Sequence, residues 1–223
     1  MGAVEALQPK PGQLPLLGTE GWTRHRAVKG RSKSELIFVF KPPAALATRM
    51  HEDAALYMGG QSDRPPHPAD MLHISLLALD DPKGTRDETV AKAVAAAVEI
   101  SARPIPITLD SVGLFGGARH LALYPEKDHG QVAQFAERLA KALKGRNVPH
   151  SYKRDSTPHV TLVYGCGRIE PQPITRNYAW IAGEFMLICS HVGETRHEEI
   201  GRWQLDPAAP AYAERPRQLQ LRI

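Results

Sequence analysis

Cysteine is nearly absent from this chain: Cys166 and Cys189 are the only two in 223 residues, and no Cys-x-x-Cys pair occurs. That argues against a disulfide framework or a thiolate zinc module as the source of its stability. A chain of this length can bury a core without such staples. Aromatic residues are also scarce, at 6%. No apolar run approaches the roughly 18 to 20 residues needed to cross a bilayer, so no membrane partner is expected. The first residues lack the basic-then-apolar pattern of a secretory leader, and a reducing, cytoplasmic setting is expected. Gly113, Gly116 and Gly117 make neither a dinucleotide fingerprint nor a Walker loop, so nucleoside-triphosphate chemistry has no support. Charge of one sign is not in large excess. The formal charge is +4 and the pI is near 9.1, which permits an anionic partner without demanding one.

What is present begins with an extension, residues 1–33. Pro9, Pro11 and Pro15 precede a basic cluster of Arg24, Arg26, Lys29, Arg31 and Lys33, which reads as a partly ordered arm without its own core. From there to residue 206 the chain carries folding patterns. ELIFVFKPP (Glu35–Pro43) is a strand that stops at two prolines. AALATRMHEDAALYM has apolar residues at helical spacing and closes at Gly59-Gly60. A turn-rich loop then leads into the strand MLHISLLALD. The same order returns in ARHLALYPE, GQVAQFAERLAKALKG, the polar loop NVPHSYKRDS and the strand TPHVTLVYG, which suggests an internal duplication. Between the two units, ETVAKAVAAAVEIS reads as a helix and PIPITLDSVGLF as one edge strand. AWIAGEFMLICSHV and GRWQLD read as two further strands joined by a polar turn around Gly193–Glu199. Residues 207–223 form a proline-rich tail.

The chemistry sits in the two closing strands. Residues i and i+2 of a strand share a face, so His73 projects with Ser75, and His159 with Thr161. These are the only two His-x-[Ser/Thr] sequences among ten histidines. Roughly one such match is expected by chance, so the weight comes from their equivalent places in equivalent units. Two imidazoles can divide general acid and general base work near neutral pH. Two hydroxyls can donate to the nonbridging oxygens of a phosphoryl group. Together they suit attack of water on a cyclic phosphodiester, with no cofactor and no metal required. His67 lies six residues before His73, but no compact ligand set surrounds it in the sequence.

The motifs HIS and HVT, with ELIFVFKPP, TPHVTLVYG and HVGETRHEEIGRWQL, resemble the two-histidine (2H) phosphoesterase superfamily, in its 2′-5′ RNA ligase and RNA 2′,3′-cyclic phosphodiesterase branch. The resemblance spans about Glu35 to Leu205. It implies an α+β fold with two pseudo-symmetric antiparallel-sheet lobes, outer helices and a central cleft, so residues 34–206 are expected to form that bilobal domain. It implies hydrolysis of RNA 2′,3′-cyclic ends to 2′-phosphates, and in some members reversible 2′-5′ joining. The expected partner is therefore RNA with a cyclic phosphate end, tRNA-like, or a small cyclic nucleotide; no obligate protein partner is implied. Carried over by position, His73 and His159 are catalytic, and Ser75 and Thr161 bind phosphate. Two departures stand out: Ser75 replaces the threonine common in ligase-like members, and Tyr164 stands where many relatives have an arginine. Tyr164, Lys153, Arg154 and Phe115 are further candidates for substrate contact. HEE at His197 and HGQ at His129 read as loop or helix-start residues with no partner. Two rival readings remain: a phosphodiesterase of a small cyclic nucleotide or ADP-ribose cyclic phosphate, and an RNA-binding module without catalysis.

Overall fold

The structure, a computed structural model, describes residues 34–80, 86–117, 119–127, 130–153, 156–191 and 193–212. The extension 1–33, most of the tail, Arg154 and His129 lie outside the described residues.

The first repeat unit is β1 (Ser34–Phe40), α1 (Ala44–Met58) and β2 (Ile74–Leu79). α1 begins right after Pro43 and ends at Gly59, whose left-handed φ of 58° suits glycine. Then come α2 (Arg86–Val98), β3 (Ile105–Leu109) and β4 (Ser111–Phe115). The second unit is β5 (His120–Tyr124), α3 (Gly130–Gly145), the two-residue β6 (His150–Ser151) and β7 (Val160–Val163). The chain closes with β8 (Tyr178–Ala182), β9 (Glu184–His191) and β10 (Arg196–Gln204).

The strands form an eight-stranded antiparallel sheet in the order β10-β9-β1-β2-β7-β5-β4, with β6 added beside β2, and a two-stranded sheet of β3 and β8. The α+β architecture with antiparallel sheets is as expected. The two lobes, however, meet inside one sheet, joined where β2 and β7 pair at Ile74↔Val160. Three expectations from the sequence need correction. PIPITLDSVGLF is two strands in different sheets, because Asp110 turns the chain: its carboxylate accepts the Glu126 N–H at 2.7 Å and the Ser111 hydroxyl. The strand expected over AWIAGEFMLICSHV likewise breaks at Gly183, where the chain passes from the small sheet to the large one. NVPHSYKRDS contains β6, whose residues pair with Leu79 and Ala78.

The three helices and one face of the large sheet share a continuous core. Phe38, Phe40, Ile74, Leu121, Val160 and Leu187 are buried there against Met50, Phe135 and Leu139. Aromatic rings concentrate at its centre, with Phe135 5.0 Å from both Phe40 and Phe185, and Phe185 5.2 Å from Trp203. One polar chain is built into this core: Tyr178 donates to Asp53 at 2.6 Å, and Tyr57 donates to Tyr178, also at 2.6 Å. Burial and the Asp53 carboxylate push the Tyr178 hydroxyl far above its ordinary value, so it stays a donor. Beyond residue 206 the chain remains attached through residue 212. Arg103 bonds the Ala209 carbonyl, and the Tyr212 hydroxyl donates to the Arg103 carbonyl at 3.0 Å.

Candidate functional site

The two motifs sit on the sheet face opposite the helices, and the sheet register explains how they meet. Ile74 and Val160 point into the core with no exposure, so the residues on either side of each turn outward. Antiparallel pairing at Ile74↔Val160 sets His73 toward Thr161 and Ser75 toward His159, a diagonal arrangement about the point where the halves join. Both histidines lie one residue ahead of their strands rather than within them. A bulge follows each motif at the same distance. The register of β2 on β1 shifts between Leu77 and Ser75, and that of β7 on β5 shifts between Val163 and Thr161, leaving Leu76 and Leu162 as the extra residues. Such bulges bend and twist a strand and re-aim its side chains.

The outcome is one cavity of about 300 Å³, lined by His73, Ser75, His159 and Thr161. Phe115 and Tyr164 line it as well. Lys153 is exposed and outside that lining. Two lining residues, Gly116 and His120, carried no signal as site residues in the sequence, and a third, His67, drew attention there only as a metal ligand. His67 is held there by its backbone, whose N–H donates to the Leu162 carbonyl at 2.7 Å and whose carbonyl meets His51 Nδ1 at 2.8 Å. Tyr164, 49% exposed, stands between His67 and His120, with ring centroids 5.0 and 5.1 Å from them. Among the described residues the lining includes four imidazoles and no lysine or arginine.

Hydrogen bonding fixes which nitrogen each motif histidine presents. His73 Nδ1 lies 2.8 Å from the Met71 carbonyl, and His159 Nδ1 lies 2.9 Å from the Thr157 carbonyl. A carbonyl can only accept, so Nδ1 carries the proton in both rings, and Nε2 is left as the atom that can take or give a second one.

The rings differ in what packs on them. His159 is stacked on Phe115, centroids 4.4 Å apart at 24°, and Phe115 is braced by the edge contact with Tyr124 at 5.3 Å. His73 meets His197 edge-on at 5.1 Å. His197 is thus a correction to the sequence reading: it lies in β10, paired with Ser190, and touches the first motif. Nothing local announces this, since three intervening strand pairings bring β10 toward β2. Burial lowers His73 to about 4, the Met71 carbonyl opposes that shift, and the charges of Lys41, His67 and His159 add to it. Burial and the neighbouring His73 lower His197 to about 3. The first-motif ring is therefore held neutral at physiological pH.

A metal-type cluster exists among the described residues, but elsewhere: Cys189, His191 and Glu198, at the β9–β10 end. The Arg86 guanidinium already donates to the Cys189 sulfur there at 2.6 Å. Among the described residues no other group of three His, Cys, Asp or Glu ligand atoms lies close enough together to share an ion.

Comparison with known proteins agrees with this geometry. No curated protein matches the chain. Among solved structures it resembles Escherichia coli LigT, seen in complex with 3′-AMP, with a TM-score of 0.63 and 22% identity over 77% of this chain and 98% of LigT. It is similar to a structure described as a phosphoesterase, with a TM-score of 0.62 and 23% identity over 77% and 98% of the two chains. A protein of Thermus thermophilus, TT0787, follows at 0.59 and 19%, over 77% and 97%. At such identities these likenesses establish the fold. Residues 42–188 match the sequence model of the 2'-5' RNA ligase superfamily, a span that contains both motifs and the strands that present them. The chain belongs to the 2'-5' RNA ligase superfamily, the two-histidine phosphoesterases.

Proposed function

We propose that the protein is a metal-independent phosphodiesterase that opens 2′,3′-cyclic phosphate ends of RNA to 2′-phosphates. The observation that carries this reading is the shared cavity: two imidazoles with Nε2 available and two hydroxyls border one space of about 300 Å³. That volume is at the small end of ligand sites. It suits a terminal ribose and its phosphate, with the remainder of an RNA lying outside.

The roles divide by environment. His73, held neutral by burial, accepts a proton from water as the water oxygen attacks phosphorus. His159, whose ring is stacked on Phe115, donates a proton to the departing O3′. Ser75 and Thr161 donate to the nonbridging oxygens as charge builds on them. The bond to O3′ breaks, the new P–O bond forms, and a 2′-phosphomonoester remains. The same displacement, with the 5′-hydroxyl of a second RNA end in place of water, is 2′-5′ joining. Lys153, exposed and outside the cavity lining, is proposed to contact the RNA backbone beyond the terminal nucleotide.

Incubating the purified protein with an RNA ending in a 2′,3′-cyclic phosphate, and identifying the terminal phosphate formed, tests the reading. A 2′-phosphate, formed equally with EDTA, is the expected result. A 3′-phosphate would reverse which oxygen leaves; loss of activity in EDTA restored by a divalent ion would overturn metal independence. Turnover of 2′,3′-cyclic mononucleotide alone would replace RNA by a small cyclic nucleotide as substrate.

A further inference from the structure

Of the four imidazoles lining this space, His120 is wired in the opposite sense from the two motif histidines. The Gly165 backbone N–H donates to His120 Nδ1 at 3.0 Å. An acceptor nitrogen is unprotonated, so the ring proton must reside on Nε2. His73 and His159 present a nitrogen that exchanges protons; His120 presents a fixed N–H. No hydrogen bond from the described residues engages that Nε2.

Its placement is built into the backbone. Gly116 turns with φ of +62°, and a Cβ added to it would sit 2.4 Å from His120 Cδ2 and 3.0 Å from Nε2. Only a residue without a side chain lets this ring lie against the Phe115–Gly116 corner. Because Phe115 stacks on His159, the same corner sets the positions of both rings. The need for a donor is also visible: among the described residues the cavity lining carries no lysine or arginine, so an anion there is met by imidazole N–H and hydroxyl groups.

We propose that His120 is a specificity-determining residue of the site: a neutral donor whose Nε2–H binds a nonbridging oxygen of the substrate phosphate, with Gly116 as the residue that makes room for it. Its effect on turnover rests on the phosphodiesterase reading above; its effect on anion binding does not. His120 transfers no proton.

The test uses inorganic phosphate and the folded full-length protein. Long-range 1H–15N NMR of the free protein should show His120 as the Nε2–H tautomer, opposite to His73 and His159. Phosphate affinity should fall about tenfold in H120F, the loss expected of one hydrogen bond to a charged group. G116A, which displaces the ring without removing it, should lose a similar amount, whereas H120Q, whose amide N–H reaches the Nε2 position, should recover most of the binding. With cyclic-ended RNA, H120F should lower kcat/KM while both limbs of its pH profile stay in place. An Nδ1–H tautomer, wild-type phosphate affinity in H120F, no phosphate binding by the wild type, failure of H120Q to bind better than H120F, or a pH limb lost with His120 would each overturn the proposal. If the wild type binds phosphate but turns over no cyclic end, the proposed function fails while His120 still stands on the binding results.

Discussion

The two motif segments are near copies in backbone and unlike in surroundings. Each places a histidine one residue ahead of a central strand, bonds its Nδ1 to the carbonyl two residues back, and follows it with a bulge at the leucine three residues on. Yet His73 packs against a second imidazole, His197, and His159 lies flat on a phenyl ring. Duplication thus supplies a symmetric frame, and the elements packed on it break the symmetry. The proposed reaction needs that break, because one ring must start neutral and the other protonated.

The sharpest way to break the comparison is to remove each ring in turn. H73A and H159A should each lower turnover of cyclic-ended RNA by about 10²–10⁴-fold, with the double variant little worse than either single, as groups acting in one step are not additive. Full activity in both single variants, with folding verified by circular dichroism, would end the catalytic assignment. The hydroxyls come next: S75A and T161A should each cost on the order of 10²-fold in kcat. A large effect in one and none in the other would show that the phosphate sits off the pseudo-twofold axis.

The response to acid separates the halves by stability. His73 has its folded value lowered to about 4 from an ordinary 6.5, so its neutral form is the one the fold prefers. The associated stability is complete above pH 6.5 and is withdrawn as pH falls toward 4. Its size is on the order of 3 kcal/mol. Urea unfolding of H73N should therefore lose less stability between those pH values than the wild type, and a variant as acid-sensitive as the wild type would refute the burial argument. The smallest expected effect is at Phe115. F115L should reduce kcat about fivefold, from loss of the ring that holds the His159 imidazole in its orientation. An unchanged kcat would mean that the stacking only packs.

Much of this was legible in the sequence because it repeats or is periodic. The β1-α1-β2 order and its return in β5-α3-β7 follow from alternation, from a 3.6-residue stripe, and from prolines and glycines that end elements; α3 spans Gly130–Gly145, the limits the pattern set. The breaks at Asp110 and Gly183 were not legible, since strand-forming residues resume within two positions of each and the division depends on which sheet receives the next strand. His197 looked like a loop residue because HEE lies in a polar segment of β10. Its strand character comes from pairing with β9, not from its own pattern.

By itself the sequence determined the two motifs, the face on which each is displayed and the element order that makes the halves equivalent, because side-chain alternation in a strand is a local property. Tertiary structure alone decided that β7 lies beside β2, that Gly116 and His120 close one side of the cavity, and that His197 reaches His73. These depend on strand order and on backbone bonds between residues far apart in the chain. The same nonlocal contacts set the tautomer of His120 and hold the ring of His73 neutral.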